Sequence, residues 1–171
     1  MKKIINTLIL STLATFALTV GEVPKALTLE NENGGYLDGK AWSSSMIKNK
    51  VHVLFYVDPD EKDTNNEFSE ALKAKNYNRE KFASIAIVNL KATWLPNFVL
   101  ESKLKEKQEK YPHTIYVKDK AKILVKEWKL KDDSSDILIF NQEGVLVYTY
   151  EGKLDASEVE KVLTLLDKII K

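Results

Sequence analysis

The side chains best suited to chemistry crowd into one short stretch, where Asp58, Asp60, Glu61, Asp63, Thr64 and Glu67 follow directly on the apolar run Val51–Val57. Carboxylates at this density are oxygen ligands for a hard cation such as calcium, which takes about six to eight of them. Asp58, Asp60, Asp63 and Glu67 are the candidate set. Counted from Asp58, however, the fifth place of a calcium loop holds Lys62 and the glycine place holds Asp63. The same residues also have a purely architectural use. Asp58-Pro59 stops a strand, Asp63 or Thr64 caps the helix that follows, and Thr64-x-x-Glu67 has capping-box spacing. A carboxylate pair for acid–base work, Asp58 with Asp60 or Glu61, requires shifted proton affinities.

Other nucleophiles and ligands are sparse. The two histidines, His52 inside an apolar run and His113 after a proline, read as a core residue and a surface residue rather than a metal pair. Ser43, Ser44 and Ser45, and the pair Ser134-Ser135, offer hydroxyls without an adjacent base, so they read as turn and cap residues. The chain contains no cysteine, which removes disulfides, thiol exchange and thiolate metal sites together.

The elements that position these residues follow from hydrophobic patterning. Val51–Val57 is short, continuous and rich in β-branched and aromatic residues, as expected of a strand covered on both faces. A loop at the carboxyl end of such a strand is where open α/β sheets place their sites. A helix is expected over about residues 65–75, a second buried strand over 82–90, and after Pro96 a lysine-rich helix carrying Leu100 and Leu104. Residues 111–130 give a short strand at Ile115 and Val117, then a run around Trp128 that fits helix or strand. The segments 136–140 and 145–150 around Gly144 form a hairpin. Asp155 caps a last helix, with Glu158 three residues on. Upstream, Leu27 to Gly39 reads as an edge hairpin or extended arm, and Trp42 and Met46 are spaced to share one face of a helical turn. Trp42, Trp94 and Trp128 are all assigned to the core. Parallel βαβ followed by an antiparallel hairpin and a helix is the thioredoxin-like arrangement, a three-layer α/β/α sandwich with a mixed central sheet.

The first residues bear on compartment. Lys2 and Lys3 precede an apolar stretch from Ile4 to Leu18 with small residues near its end, which is the pattern of a secretory signal peptide over residues 1–17. The domain then spans 18–171. Removing Lys2 and Lys3 takes 26 basic against 25 acidic residues to 24 against 25. A near-neutral chain has no field to hold a phosphate backbone, so nucleic acid is not an expected partner.

Several short motifs recur together in one order: Trp42-x-Ser44, Lys50-Val51-His52-Val53-Leu54, Ile87-Val88-Asn89, Leu100-Glu101-Ser102, Tyr111-Pro112 with Asp119, Trp128-Lys129-Leu130, Ser134-Ser135, the Gly144 turn and Gly152-Lys153-Leu154. In this ordered set the chain resembles the YtfJ-like family of exported bacterial proteins, within the thioredoxin superfamily. The resemblance implies a periplasmic thioredoxin-fold protein. The place of the Cys-x-x-Cys pair falls near Glu61 to Thr64, and the cis-proline place near Ser135, so thiol chemistry does not carry over. The expected role is a redox-inactive binding or accessory module without a cofactor. It takes an unidentified periplasmic protein or small ligand at Asp58, Asp60, Glu61, Asp63, Thr64, Ser134 and Ser135, through the loops 58–66, 92–97 and 131–136. No stable membrane insertion is expected once the leader is removed. The alternative is a cysteine-independent, cation-assisted enzyme using the acidic loop at 58–67.

Overall fold

An unbroken run of valine, leucine and aromatic residues extends because β-branched and aromatic side chains pack well on a pleated surface covered from both sides. The computed structural model describes residues 18–171. In chain order its elements are β1 (Thr28–Leu29), β2 (Gly34–Tyr36), β3 (Trp42–Ser43), β4 (Val51–Val57), α1 (Asn66–Lys75), β5 (Phe82–Asn89), α2 (Asn97–Lys110), β6 (Thr114–Asp119), α3 (Ile123–Trp128), β7 (Ser135–Phe140), β8 (Leu146–Tyr150) and α4 (Ala156–Ile169). The main sheet has the order β2-β6-β5-β4-β7-β8. β4 pairs in parallel with β5, and β5 with β6, whereas β7 lies antiparallel to β4 and β8 antiparallel to β7.

Alternation along β4 divides the core. Leu54 and Tyr56 join Ile85, Ile87, Leu138 and Phe140 on one face, under Leu124 and Trp128 of α3 and under Leu29 and Trp42 of the N-terminal segment. Val51 and Val53 join Ile137 and Ile139 on the other, under Phe68 and Leu72 of α1 and Val162 and Leu166 of α4. Leu100 and Leu104 of α2 close over Val88 and Tyr116. Each such side chain, fully buried, contributes roughly 1.5–3 kcal/mol. The layered α/β/α sandwich with a mixed sheet is therefore as the element order implied. The final helix begins as read: the Asp155 carboxylate accepts a hydrogen bond from the Glu158 amide at 2.8 Å.

The N-terminal part departs from the sequence reading. The Gly34-Gly35 pair is not a hairpin turn but the edge strand β2, antiparallel to β6, with Gly34 opposite Asp119. Gly34 has φ of +133°, and a β-carbon there would fall 1.9 Å from the Lys118 carbonyl oxygen. The strand can approach β6 only because that atom is missing. Trp42 and Met46 do not share a face. Trp42 belongs to β3, which pairs with β1, and is 1% exposed, whereas Met46 ends a short 3₁₀ turn and is 54% exposed. Trp42 and Trp128 are core residues as expected, but Trp94 is 87% exposed. The leader assigned to residues 1–17 lies outside the described residues. No described helix is long and apolar enough to cross a membrane.

Candidate functional site

Parallel pairing of β4, β5 and β6 brings their carboxyl ends to the same edge of the sheet, and antiparallel pairing places the start of β7 there too, with Val57 opposite both Val88 and Ser135. The acidic loop leaves β4 at Asp58. Its backbone amide donates to the Ser134 carbonyl at 2.9 Å, so the ladder continues one step beyond the strand. Its side chain turns inward and accepts from the Asp60 amide at 3.1 Å, capping the single 3₁₀ turn Pro59–Glu61. Burial, followed by a hydrogen bond and charge from Asp133, lifts the Asp58 carboxyl to about 6, against the opposing pull of the Asp60 amide. Asp133, seventy-five positions on, and Asp60 both add negative charge near the Asp58 carboxyl, and burial outweighs either.

The remaining loop acids point elsewhere. Asp60, Glu61, Asp63 and Glu67 are exposed. The Lys62 ammonium and the Asn66 carboxamide hold the Asp63 carboxyl below its ordinary value. Among the described residues no three histidine, aspartate or glutamate side chains stand close enough to hold a metal ion. The set Asp58, Asp60, Asp63 and Glu67 is therefore dispersed, because the 3₁₀ turn aims Asp58 at the protein and the others at solvent. The capping box is not formed either. The Thr64 hydroxyl donates backward to the Glu61 carboxylate, and α1 begins without a side-chain cap.

What fastens the loop is Asn65, which the sequence reading passed over. It is buried, and its amide nitrogen donates to the Ser135 carbonyl at 3.1 Å, the Ser135 hydroxyl at 3.0 Å and the Gly152 carbonyl at 2.9 Å. Its oxygen accepts from the Leu154 amide at 3.0 Å. One carboxamide therefore joins the loop to the first residue of β7 and to the link before α4. All described peptide bonds are trans, including the one preceding Ser135. The only sequence signal for Asn65 was its place at the end of a polar loop, three residues before Phe68 opens the apolar stripe of α1.

A second ring of polar side chains holds the adjacent loops. Asp136 accepts from the Ser134 hydroxyl at 2.7 Å and the Lys131 amide at 2.9 Å, and burial raises its carboxyl above the usual range. Asp119, at the end of β6, accepts from the Tyr56 hydroxyl at 3.1 Å and from the amides of Ala121, Ile123 and Leu124 at 2.9–3.1 Å, so it caps α3. Burial and then Asp119 push the Tyr56 hydroxyl strongly upward. Asp132 bridges Asn89 and Lys122, and the Lys122 contact lowers its carboxyl. His52 is buried, with Nδ1 2.9 Å from the Lys50 carbonyl, and burial lowers its proton affinity; His113 is exposed.

Of the residues expected at the site, Asp58, Ser134 and Ser135 meet at the junction of β4 and β7, Asp60 reaches the rim, and Glu61, Asp63 and Thr64 lie on the outer turn. Pro59, Asp60, Asn65, Leu95 and Ser135 share one cleft of about 250 Å³, which joins the loops 58–66, 92–97 and 131–136. Beside it, Trp94 and Phe98 project into solvent, at 87% and 76% exposure. With no thiol, this end of the sheet presents a buried carboxyl, two fixed hydroxyls and an exposed aromatic pair, a combination suited to holding a partner.

Comparison with known proteins gives two kinds of match. The model of the family YtfJ_HI0045, described as a bacterial protein of unknown function, matches residues 19–169. The uncharacterized protein YtfJ of Escherichia coli K12 is 26% identical over 149 residues, covering 85% of this chain and 79% of that protein. An uncharacterized protein of Haemophilus influenzae is 27% identical over 134 residues, covering 76% of this chain and 72% of that protein. Among solved structures, a thiol-disulfide isomerase from Corynebacterium glutamicum superposes with a TM-score of 0.61 at 12% identity, over 90% of this chain and 96% of that one. The exposed lipoprotein thioredoxin Etrx1 from Streptococcus pneumoniae gives 0.56 at 16% identity, over 84% and 99%. At these identities the structural matches establish the thioredoxin-like fold and nothing further.

Proposed function

We propose, for a chain that belongs to the YtfJ_HI0045 family of bacterial proteins, the role of an exported, cysteine-free binding module that offers the thioredoxin site end of its sheet to a periplasmic partner or ligand. The observation that carries this reading is the Asn65 clamp. A loop that no longer needs to present a thiolate is nonetheless fixed by four hydrogen bonds, two to the first residue of β7 and two to the link before α4, beside two exposed aromatic side chains. Preformed surfaces with aromatic anchors lose little freedom on association and are typical of recognition sites. Export is supported by the leader-like residues 1–17, and a relative in fold from S. pneumoniae is itself described as an exposed lipoprotein.

The test places a photo-crosslinking residue at position 94 or 61, with position 143 at the far end of the sheet as control, in cells fractionated into periplasm and cytoplasm. A periplasmic chain giving the same discrete adduct from 94 and 61 and none from 143 supports the proposal. A cytoplasmic chain, or equal adducts from all three positions, contradicts it. A second reading has one observation in its favour: burial at the end of β4 lifts the Asp58 carboxyl to about 6, so that it holds its proton further up the pH scale than an exposed aspartate. In that reading Asp58 is the proton donor of a cysteine-independent enzyme. Its expected signature is a reaction lost in Asp58→Asn while Trp94→Ala retains it.

A further inference from the structure

The cleft at the candidate site does not end there. It continues between α1 and α2 into a second cavity of about 380 Å³, and Ser69, Ser84, Tyr111 and Thr114 line both parts. The groove owes its depth to β5. This strand is interior, flanked by β4 and β6, yet its residues facing the helices, Ser84 and Ala86, stay half-buried where larger side chains would fill the space. Phe55, Val88, Leu100, Leu104 and Tyr116 supply the rest of an apolar floor and wall.

The rim is mainly basic. Lys62, Lys73, Arg79, Lys103, Lys107 and Lys110 border the groove, against only Asp60 and Glu70. In a chain with 26 basic and 25 acidic residues this is a local concentration and not a general property. Arg79, Lys103, Lys107 and Lys110 enter none of the salt bridges among the described residues. The ammonium groups of Lys73 and Lys110 instead flank the Tyr111 ring, at 5.4 and 5.2 Å from its centroid.

We infer that the groove between α1 and α2 holds a single-chain anionic amphiphile of the fatty-acid class, with its hydrocarbon on Phe55, Ala86 and Val88 and its carboxylate among Lys73, Lys107 and Lys110. Charge complementarity selects the head group. The floor selects the tail, because the backbone groups of β4, β5 and β6 are already engaged in ladder pairing. An extended peptide lying there would find few partners for its own amides, whereas an acyl chain needs none. The two cavities together fall within the roughly 300–1,000 Å³ usual for small-ligand sites. The inference rests on the binding role proposed above and adds to it a ligand class and a seat.

The probe is laurate below its micellar concentration, titrated into the full chain by calorimetry, with dodecylamine as the cationic analogue of equal length. Saturable binding of one laurate per chain is expected, with no dodecylamine binding. Lys107→Glu with Lys110→Glu, both in the last turn of α2, should weaken laurate about tenfold or more while lowering the melting temperature by only the few degrees expected of reversed charges at a helix end, with folding verified by a melt. Ala86→Leu, which fills the floor, should abolish it, and a melt of that variant verifies folding. Four outcomes overturn the inference: no saturable laurate binding, undiminished affinity in the charge-reversed variant, an acidic peptide that binds where laurate does not, or retention only by phosphatidylglycerol vesicles. Failure here with intact crosslinks from position 94 refutes the ligand class alone. Loss of both refutes the binding role as well.

Discussion

Replacing Asp58 with asparagine isolates the one buried loop carboxyl, because the amide oxygen still accepts from the Asp60 amide while the proton is gone. Burial and Asp133 raise the Asp58 carboxyl from 3.8 to about 6. At about 1.4 kcal/mol per pH unit, that difference sets a ceiling near 3 kcal/mol. The loop borders solvent, and screening there reduces the figure to about 1–2 kcal/mol. The sign is fixed by which state holds the proton more tightly. The folded chain does, so the Asp58 contribution is complete below about pH 4 and is lost as pH rises through about 6. Carboxylates held low, such as Asp132 and Glu101, act in the opposite direction and mask this in the wild type alone. The assay is therefore urea unfolding of both proteins across pH 4 to 7.5. The stability of Asp58→Asn relative to wild type should increase by about 1–2 kcal/mol over that range. A difference that is flat with pH would refute the burial of this carboxyl.

Other perturbations follow from the same contacts. Asn65→Ala leaves the Leu154 amide and the Ser135 and Gly152 carbonyls without their partner and should cost about 2–4 kcal/mol in denaturant unfolding. Asp119→Ala removes the cap of α3 and the acceptor of the Tyr56 hydroxyl, with an expected loss of about 2–4 kcal/mol by the same measurement. Trp94→Ala should change stability by less than about 0.5 kcal/mol, whereas Trp128→Ala, which empties a core position and abandons the Lys25 carbonyl, should cost about 3–5 kcal/mol. Equal effects at the two tryptophans would contradict the exposure of Trp94.

The sequence carried the central architecture because local pattern and global burial agree there. Val51–Val57, Phe82–Asn89 and the hairpin around Gly144 are apolar runs bounded by turn residues, and the Asp155 cap is a purely local signal. The misreadings arose where a distant contact decided the outcome. Gly34-Gly35 has the chemistry of a turn, and only Lys118 across the sheet makes it a strand. Thr64 and Glu67 have capping-box spacing, yet the 3₁₀ turn after Pro59 gives Thr64 a nearer partner in Glu61. The candidate site divided along the same line. Asp58, Ser134 and Ser135 were recognisable from their positions at strand ends. Asp119 and Asp136 bond mainly to groups within five residues, and only their burial at the ends of β6 and β7 sets them apart from other strand-end acids. Asn65 was not recognisable, because its partners are brought to it by folding, up to eighty-nine positions away in the case of Leu154. The groove between α1 and α2 escaped for the same reason: Ser84 and Ala86 look like gaps in a strand pattern until two helices are set over them.

The account depends on the cysteine-free loop being a fixed platform, clamped to β7 by Asn65. Native-state amide hydrogen exchange tests this directly at Asp58, which donates to Ser134, and at Leu154, which donates to Asn65. Both amides should be protected to a degree comparable with the amides of β4, and Asn65→Ala should release Leu154 while leaving the β4 interior protected. Exchange of Asp58 and Leu154 in the wild type at the rate of an open loop would contradict the clamp and, with it, the platform.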